Sequence, residues 1–151
     1  NDNFPDAGLM PKTSDSFEKL LQTADLCFFS ATVHPNVTRI SMPVKFIDDK
    51  ALSFEIVRPV AIRDMHKITK MIEARLENGP WWYGEDWSAV DGYLYWVLSR
   101  IQSGGFPIEQ YPNLERHFDL SNERPAVQRA MAREAVNLEI LKAEGLIKAP
   151  A

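Results

Sequence analysis

The sequence predicts an all-α chain built as a bundle of about five helices. Three observations predict it. Apolar residues recur at three- and four-residue steps over most of the length, Ser88-x-x-Asp91 opens an aromatic run, and Pro112 and Pro125 stand where first-turn prolines open helices. At 151 residues the chain is long enough for one domain with a core and short for two.

The first helix begins at Asp15, with Glu18 in its opening turn. Phe17, Leu20, Leu21, Ala24, Phe28 and Ala31 give it one apolar face. It should end near His34, because Pro35 pushes the residue before it away from helical geometry. Phe29 and Val33 then fall on the side that carries Glu18 and Gln22, where exposed apolar residues suit a homodimer contact. Two readings stand for residues 36–59. Ile40, Met42, Val44 and Phe46 alternate, as do Leu52, Phe54 and Ile56 beyond a turn at Asp48-Asp49-Lys50, which reads as a hairpin held to a sheet edge by Pro43. A loop with a short helix fits equally well. Ala61, Met65, Ile68, Ile72 and Leu76 restore the helical step, and Asn78-Gly79-Pro80 closes that helix with the glycine in a left-handed cap. A further helix runs from about Ala89 to Gln102, between Ser88 and the pair Gly104-Gly105. Pro112 opens a short helix toward Asn122, and Pro125 a longer one toward Glu144, stopped at Gly145.

Composition excludes several classes. The 45% hydrophobic and 25% charged residues are the balance of a soluble globular protein rather than a disordered or fibrous one. The apolar stretches are broken too early to span a bilayer and no apolar leader opens the sequence, so neither membrane insertion nor export is expected. A formal charge of -4, with basic residues scattered among acids, argues against nucleic acid as a partner. Cys27 alone allows no internal disulfide. That fits a reducing cytoplasm, although a cysteine-poor secreted protein would read the same.

Ser88 and Asp91 invite a catalytic reading, with the serine as nucleophile. That chemistry needs a base within reach and an oxyanion site, and the surrounding residues offer neither a histidine nor a glycine-flanked elbow. A cap explains the spacing instead: the serine oxygen accepts from the third backbone N–H, and the acid reaches back to the serine's own N–H. These two residues are therefore read as structural.

On the first helix, Thr23, Cys27, Ser30 and His34 fall on one narrow stripe at about 100° per residue, beside the apolar face. Small and polar residues in such a line suit the wall of a cleft. A solvated helix end, or a histidine placed against the C-terminal carbonyls, reads the residues equally well.

Several segments resemble one family. GEDWSAVD followed by an aromatic helix, then YPNLERHFDLSNERPAVQRA, is similar to the C-terminal helical domain of glutathione transferases, and FPDAGLMP, Phe4 to Pro11, resembles the linker by which that family enters its helical half. The resemblance implies an interdomain linker over residues 1–14 and a helical domain over 15–151. FFSATVHPNVTRISMP, Phe28 to Pro43, is similar to the bacterial beta-type transferases, whose corresponding histidine assists catalysis near the glutathione thiol. By position that residue is His34, with Thr23, Cys27 and Ser30 as substrate-binding neighbours. The sequence departs from the group at Thr32, where an acid is common, and at Pro35, where a lysine is common. Gly92 also replaces the larger residue that usually packs on the hydrophobic side chain before the cap, so Trp87 should pack elsewhere, with Tyr93 as its partner, and leave the staple weak.

The resemblance further implies a dimer, glutathione as co-substrate, a hydrophobic electrophile as second substrate, and an N-terminal thioredoxin-like domain as partner. The strand-helix alternation that would build that domain does not occur in these residues. No independent activity is therefore expected of this chain. It is either a piece of a longer polypeptide or a stand-alone helical module used for protein interaction. His66 and His117 lack ligand spacing and read as surface or partly packed residues, with no metal expected. Trp81, Trp82 and Tyr83 read as a core anchor or, as a second reading, a binding wall.

Overall fold

Asp15 caps the first helix as its sequence predicts, its carboxylate accepting the N–H groups of Phe17 at 2.7 Å and Glu18 at 3.1 Å. The computed structural model describes residues 4–147. Residues 1–3 of the predicted linker and 148–151 of the predicted domain lie outside the described residues. Among those described the chain is all-α, arranged as five helical rods. The first rod joins α1 (Ser16–Cys27), a π-helical segment (Phe28–Val33) and α2 (His34–Ser41). The second joins α3 (Lys50–Leu52), another π segment (Ser53–Val57) and α4 (Arg58–Arg75). Then come α5 (Ala89–Ser103), α6 (Pro112–Glu123) and α7 (Pro125–Ala143).

The first rod does not stop at His34. Pro35 sits in the first turn of α2, directly after the π segment. A proline lacks an N–H and its ring presses on the carbonyl four residues back. Winding with i→i+5 bonds in the preceding turn opens the room for it. Pro59 repeats the arrangement, in the first turn of α4 behind the second π segment. Pro35 and Pro59 thus occupy first turns, as Pro112 and Pro125 do.

Extending the rod exchanges its faces. Phe29 and Val33, expected on the outside, are fully buried and continue into Val37 and Ile40 on α2. Phe17 and Leu20, expected in the core, are 65% and 61% exposed, and no residue of α1 is buried. The reason is the wider winding between the two helices, which puts the apolar residues of α2 in line with Phe29 rather than with Leu20. Of the two readings for residues 36–59 the loop with a short helix holds, and among the described residues no hairpin forms. A 3-10 turn at Pro43–Lys45 lies between the rods, and α3, which opens the second, is capped by Asp49, whose carboxylate accepts the Leu52 N–H at 3.0 Å. Met42, Val44, Phe46, Leu52, Phe54 and Ile56 stay largely exposed, with Arg39 over the Phe46 ring and Arg58 over the Phe54 ring.

Buried polar bonds tie the rods together. Asn36 donates to the Ala61 carbonyl at 2.8 Å, and the Arg58 guanidinium to that of Ile40 at 3.0 Å. Glycines are demanded where backbones approach. A Cβ at Gly104 would lie 2.6 Å from Ile40 Cγ2, and one at Gly79 would lie 2.6 Å from the Gly84 backbone. Gly79 accordingly adopts φ 158° and ψ 175° rather than the expected left-handed cap, because Trp81 and Gly84 close a tight turn against it through paired 3.0 Å backbone bonds. The predicted linker is pinned in part: the Ala89 N–H donates to the Leu9 carbonyl at 2.7 Å.

The chain divides into two compact units, residues 1–118 and 119–151. The second contains the end of α6 and α7, whose Pro125 occupies the first turn and whose Gly145 follows the last with φ 70°. All the geometry below belongs to the first unit.

Candidate functional site

Ser88 and Asp91 are both buried at the start of α5, in a capping box. Asp91 Oδ2 accepts the Ser88 N–H and the Ser88 hydroxyl, each at 2.8 Å. Its Oδ1 accepts the Trp82 N–H at 2.7 Å and faces His117 Nε2 at 3.1 Å. Burial alone would push this carboxyl up. The hydrogen bonds from His117, Trp82 and Ser88 outweigh it and hold the group below the usual carboxylate range. His117 is thus wholly buried rather than superficial, and it carries α6 onto the α5 cap. Spacing gave no sign of it, because residues 26 apart in sequence meet only once the helices pack. The serine hydroxyl is spent inside this network. Gly92 also behaves differently from expectation: a Cβ there would lie 3.2 Å from Trp87 Cζ2, so the indole fills the glycine's vacant space and closes the staple itself.

His34 occupies a different wall. It is half-buried at the start of α2, and its Nδ1 lies 2.7 Å from the Tyr93 hydroxyl on α5. Its ring sits 4.5 Å from that of Trp96, three residues further along the same helix, and Tyr93 also meets the Phe29 ring at 5.6 Å. Among the described residues Nε2 has no hydrogen-bond partner. Burial raises the pKa of Tyr93, so its phenol stays protonated. Tyr93 and Trp96 were not singled out as site residues in the sequence. Their i, i+3 spacing on α5 marked a shared face, and nothing marked the histidine that the face receives.

Thr23, Cys27 and Ser30 lie on the same rod and are exposed. The Thr23 hydroxyl donates to the Lys19 carbonyl at 3.0 Å and that of Ser30 to the Cys27 carbonyl at 3.2 Å, so both turn back onto their own helix. His66 Nδ1 lies 2.7 Å from the Tyr111 hydroxyl. Among the described residues no group of three or more His, Cys, Asp or Glu is placed to hold a metal ion, and no helix is long and apolar enough to cross a membrane.

A cavity of about 550 Å³ opens elsewhere, between α1 and the end of α4, lined by Leu21, Gln22, Asp25, Arg75, Trp82 and Tyr83 among others. Tyr83 donates to Asp25 at 2.8 Å, and burial followed by that carboxylate pushes its pKa up. Arg75 lies over the Trp82 and Tyr83 rings. His34 takes no part in it.

Comparison with known proteins places this architecture. The family described as "Glutathione S-transferase, C-terminal domain" matches residues 42–134. A glutathione transferase homolog from Sulfitobacter, solved with bound glutathione, is 22% identical, with TM-score 0.70 over 86% of this chain and 61% of that one. BphK, a bacterial GST solved as a ternary complex, is 23% identical, with TM-score 0.70 over 89% and 62%. A glutathione transferase from Burkholderia graminis, with two glutathione molecules per subunit, is 21% identical, with TM-score 0.65 over 80% and 51%. The chain therefore spans between half and two thirds of the length of these structures. No curated protein matches the sequence.

Proposed function

Because the chain belongs to the family of glutathione S-transferase C-terminal domains, we propose that it is the helical, second-substrate-binding half of a cytoplasmic glutathione transferase. In this reading a thioredoxin-like half holds most of the glutathione, which is the co-substrate, and its sulfur attacks a hydrophobic electrophile lodged against this chain. The glutathione in the Sulfitobacter and Burkholderia structures supports the choice of thiol.

One observation carries the site. His34 has one ring nitrogen tied to Tyr93 and the other unpartnered among the described residues, on a half-buried wall faced by Trp96. A hydrogen bond from Nε2 to sulfur stabilises the thiolate and so raises its fraction near neutral pH. In this reading the exposed Thr23, Cys27 and Ser30 line the substrate's approach along the same rod. The exposed Phe17, Leu20 and Leu21 of α1 suit a homodimer contact better than the buried Phe29 and Val33.

Calorimetric titration of this chain with glutathione should show no binding. Joined to its thioredoxin-like half, the protein should conjugate glutathione to a chromogenic electrophile, and His34→Ala should lower kcat by about 100-fold, the low end of what a positioned acid-base or donor group contributes. An unchanged rate removes His34 from the reaction. A second reading, a non-catalytic interaction module, is favoured by the exposed apolar residues between Met42 and Ile56. It predicts that the joined protein has no conjugating activity at all.

A further inference from the structure

The role of the unpartnered nitrogen turns on its proton, a question that rests on the proposed part of His34 in thiol chemistry. We infer that Tyr93 is a positioning residue that holds neutral His34 as a hydrogen-bond donor, with its proton on Nε2. The Tyr93 hydroxyl lies 2.7 Å from Nδ1 and has no other partner among the described residues. The phenol keeps its proton, since burial disfavours the phenolate. A phenol O–H is a better donor than its oxygen is an acceptor, and an unprotonated imidazole nitrogen is a strong acceptor. The proton between them therefore belongs to the tyrosine, and the histidine's own proton goes to the far nitrogen.

The ring is held in that sense. Turning it over would set a carbon against the Tyr93 oxygen, and the Trp96 ring at 4.5 Å packs against it. No carboxylate forms a hydrogen bond or ion pair with the ring among the described residues. The outward nitrogen then offers a hydrogen bond and has no lone pair with which to take a proton. Such a group serves a thiolate that has already formed. It does not serve as the base that forms it.

The test is the histidine side-chain ¹⁵N spectrum of the full chain at a pH well above the ordinary histidine range. For His34 the expected pattern is a protonated Nε2, with Nδ1 displaced from the position of a free acceptor. Tyr93→Phe, shown by circular dichroism to be folded, should return Nδ1 to the free position. A proton on Nδ1 in the wild type overturns the inference, as does a His34 pattern that Tyr93→Phe leaves unchanged. Should Tyr93→Phe fail to fold, the wild-type spectrum alone decides. In the joined enzyme, Tyr93→Phe should lower kcat with little change in KM for the electrophile, and in a His34→Ala background it should cost less than about twofold. An undiminished loss in that background overturns the positioning role. If His34→Ala leaves the rate unchanged, it is the proposed function that fails, while the spectrum still reports the tautomer.

Discussion

Replacing Asp91 with asparagine keeps the shape of the α5 cap and removes its charge and half of its accepting capacity. The carboxylate receives four donors: the Ser88 N–H, the Ser88 hydroxyl, the Trp82 N–H and His117 Nε2. An amide has one oxygen. Whichever way it turns, its NH2 group confronts a buried backbone N–H, from Trp82 or from Ser88, and leaves it unsatisfied. A stranded buried donor costs about 1–3 kcal/mol, and each hydrogen bond to a charged group contributes roughly 1.5–3. Allowing for rotation of the Ser88 hydroxyl, the expected loss is about 3–5 kcal/mol, similar to breaking a buried ion pair. Ser88→Ala removes only a hydroxyl and leaves the Ser88 N–H on Asp91, so it should cost about 0.5–2 kcal/mol. Urea unfolding measures both as shifts of midpoint at constant slope. Acid supplies a second arm. The folded pKa of Asp91 is depressed, so its contribution is complete above the unfolded value of about 3.9 and is lost as pH falls through the folded one. Asp91→Asn should flatten that decline. A loss below about 1 kcal/mol for Asp91→Asn, or a larger loss for Ser88→Ala, would refute the network as the organiser of this corner.

Three substitutions test the packing of the first rod and of the α5 end beside it. Phe29→Ala should cost about 3–5 kcal/mol, because the ring is fully buried against Phe28, Trp82 and Tyr93, whereas Leu20→Ala on the exposed face should stay within about 0.5. The reverse order in urea melts would restore the face expected from periodicity. Gly104→Ala should destabilise by about 1–3 kcal/mol by forcing a methyl to 2.6 Å from the buried Ile40 Cγ2, and a neutral result would mean that this contact relaxes without cost.

Elements bounded by local chemistry were legible in the sequence, and elements bounded by winding were not. Asp15, Ser88, Pro112 and Pro125 mark the starts of α1, α5, α6 and α7 because a cap or a first-turn proline acts within one turn. The all-α class followed from the same signals. Residues 36–59 left two readings open because exposed apolar residues at alternate positions imitate a strand, and the helical one holds because they have no sheet to face among the described residues. Gly79 misled because its backbone answers to Gly84, five residues on, rather than to its own helix. His34 was singled out through the family resemblance. Its partners were not, since Tyr93 and Trp96 lie on a helix some sixty residues away.

The π segment is what joins His34 to those partners. In a regular α-helix five residues turn about 500°, so His34 would point roughly 140° away from Phe29. Here the His34 N–H donates to the Phe29 carbonyl in an i→i+5 bond, which sets the histidine almost one turn above the phenylalanine. Both side chains then reach the same tyrosine, Phe29 through its ring at 5.6 Å and His34 through Nδ1 at 2.7 Å. The burial of Phe29 and Val33 fixes the register of that contact, and Pro35 disfavours regular winding just behind it. The irregularity that defeats a simple periodicity is therefore the means by which the rod buries one face and still presents an imidazole to α5. Single π turns in helices recur at functional sites, and this one has a local physical cause.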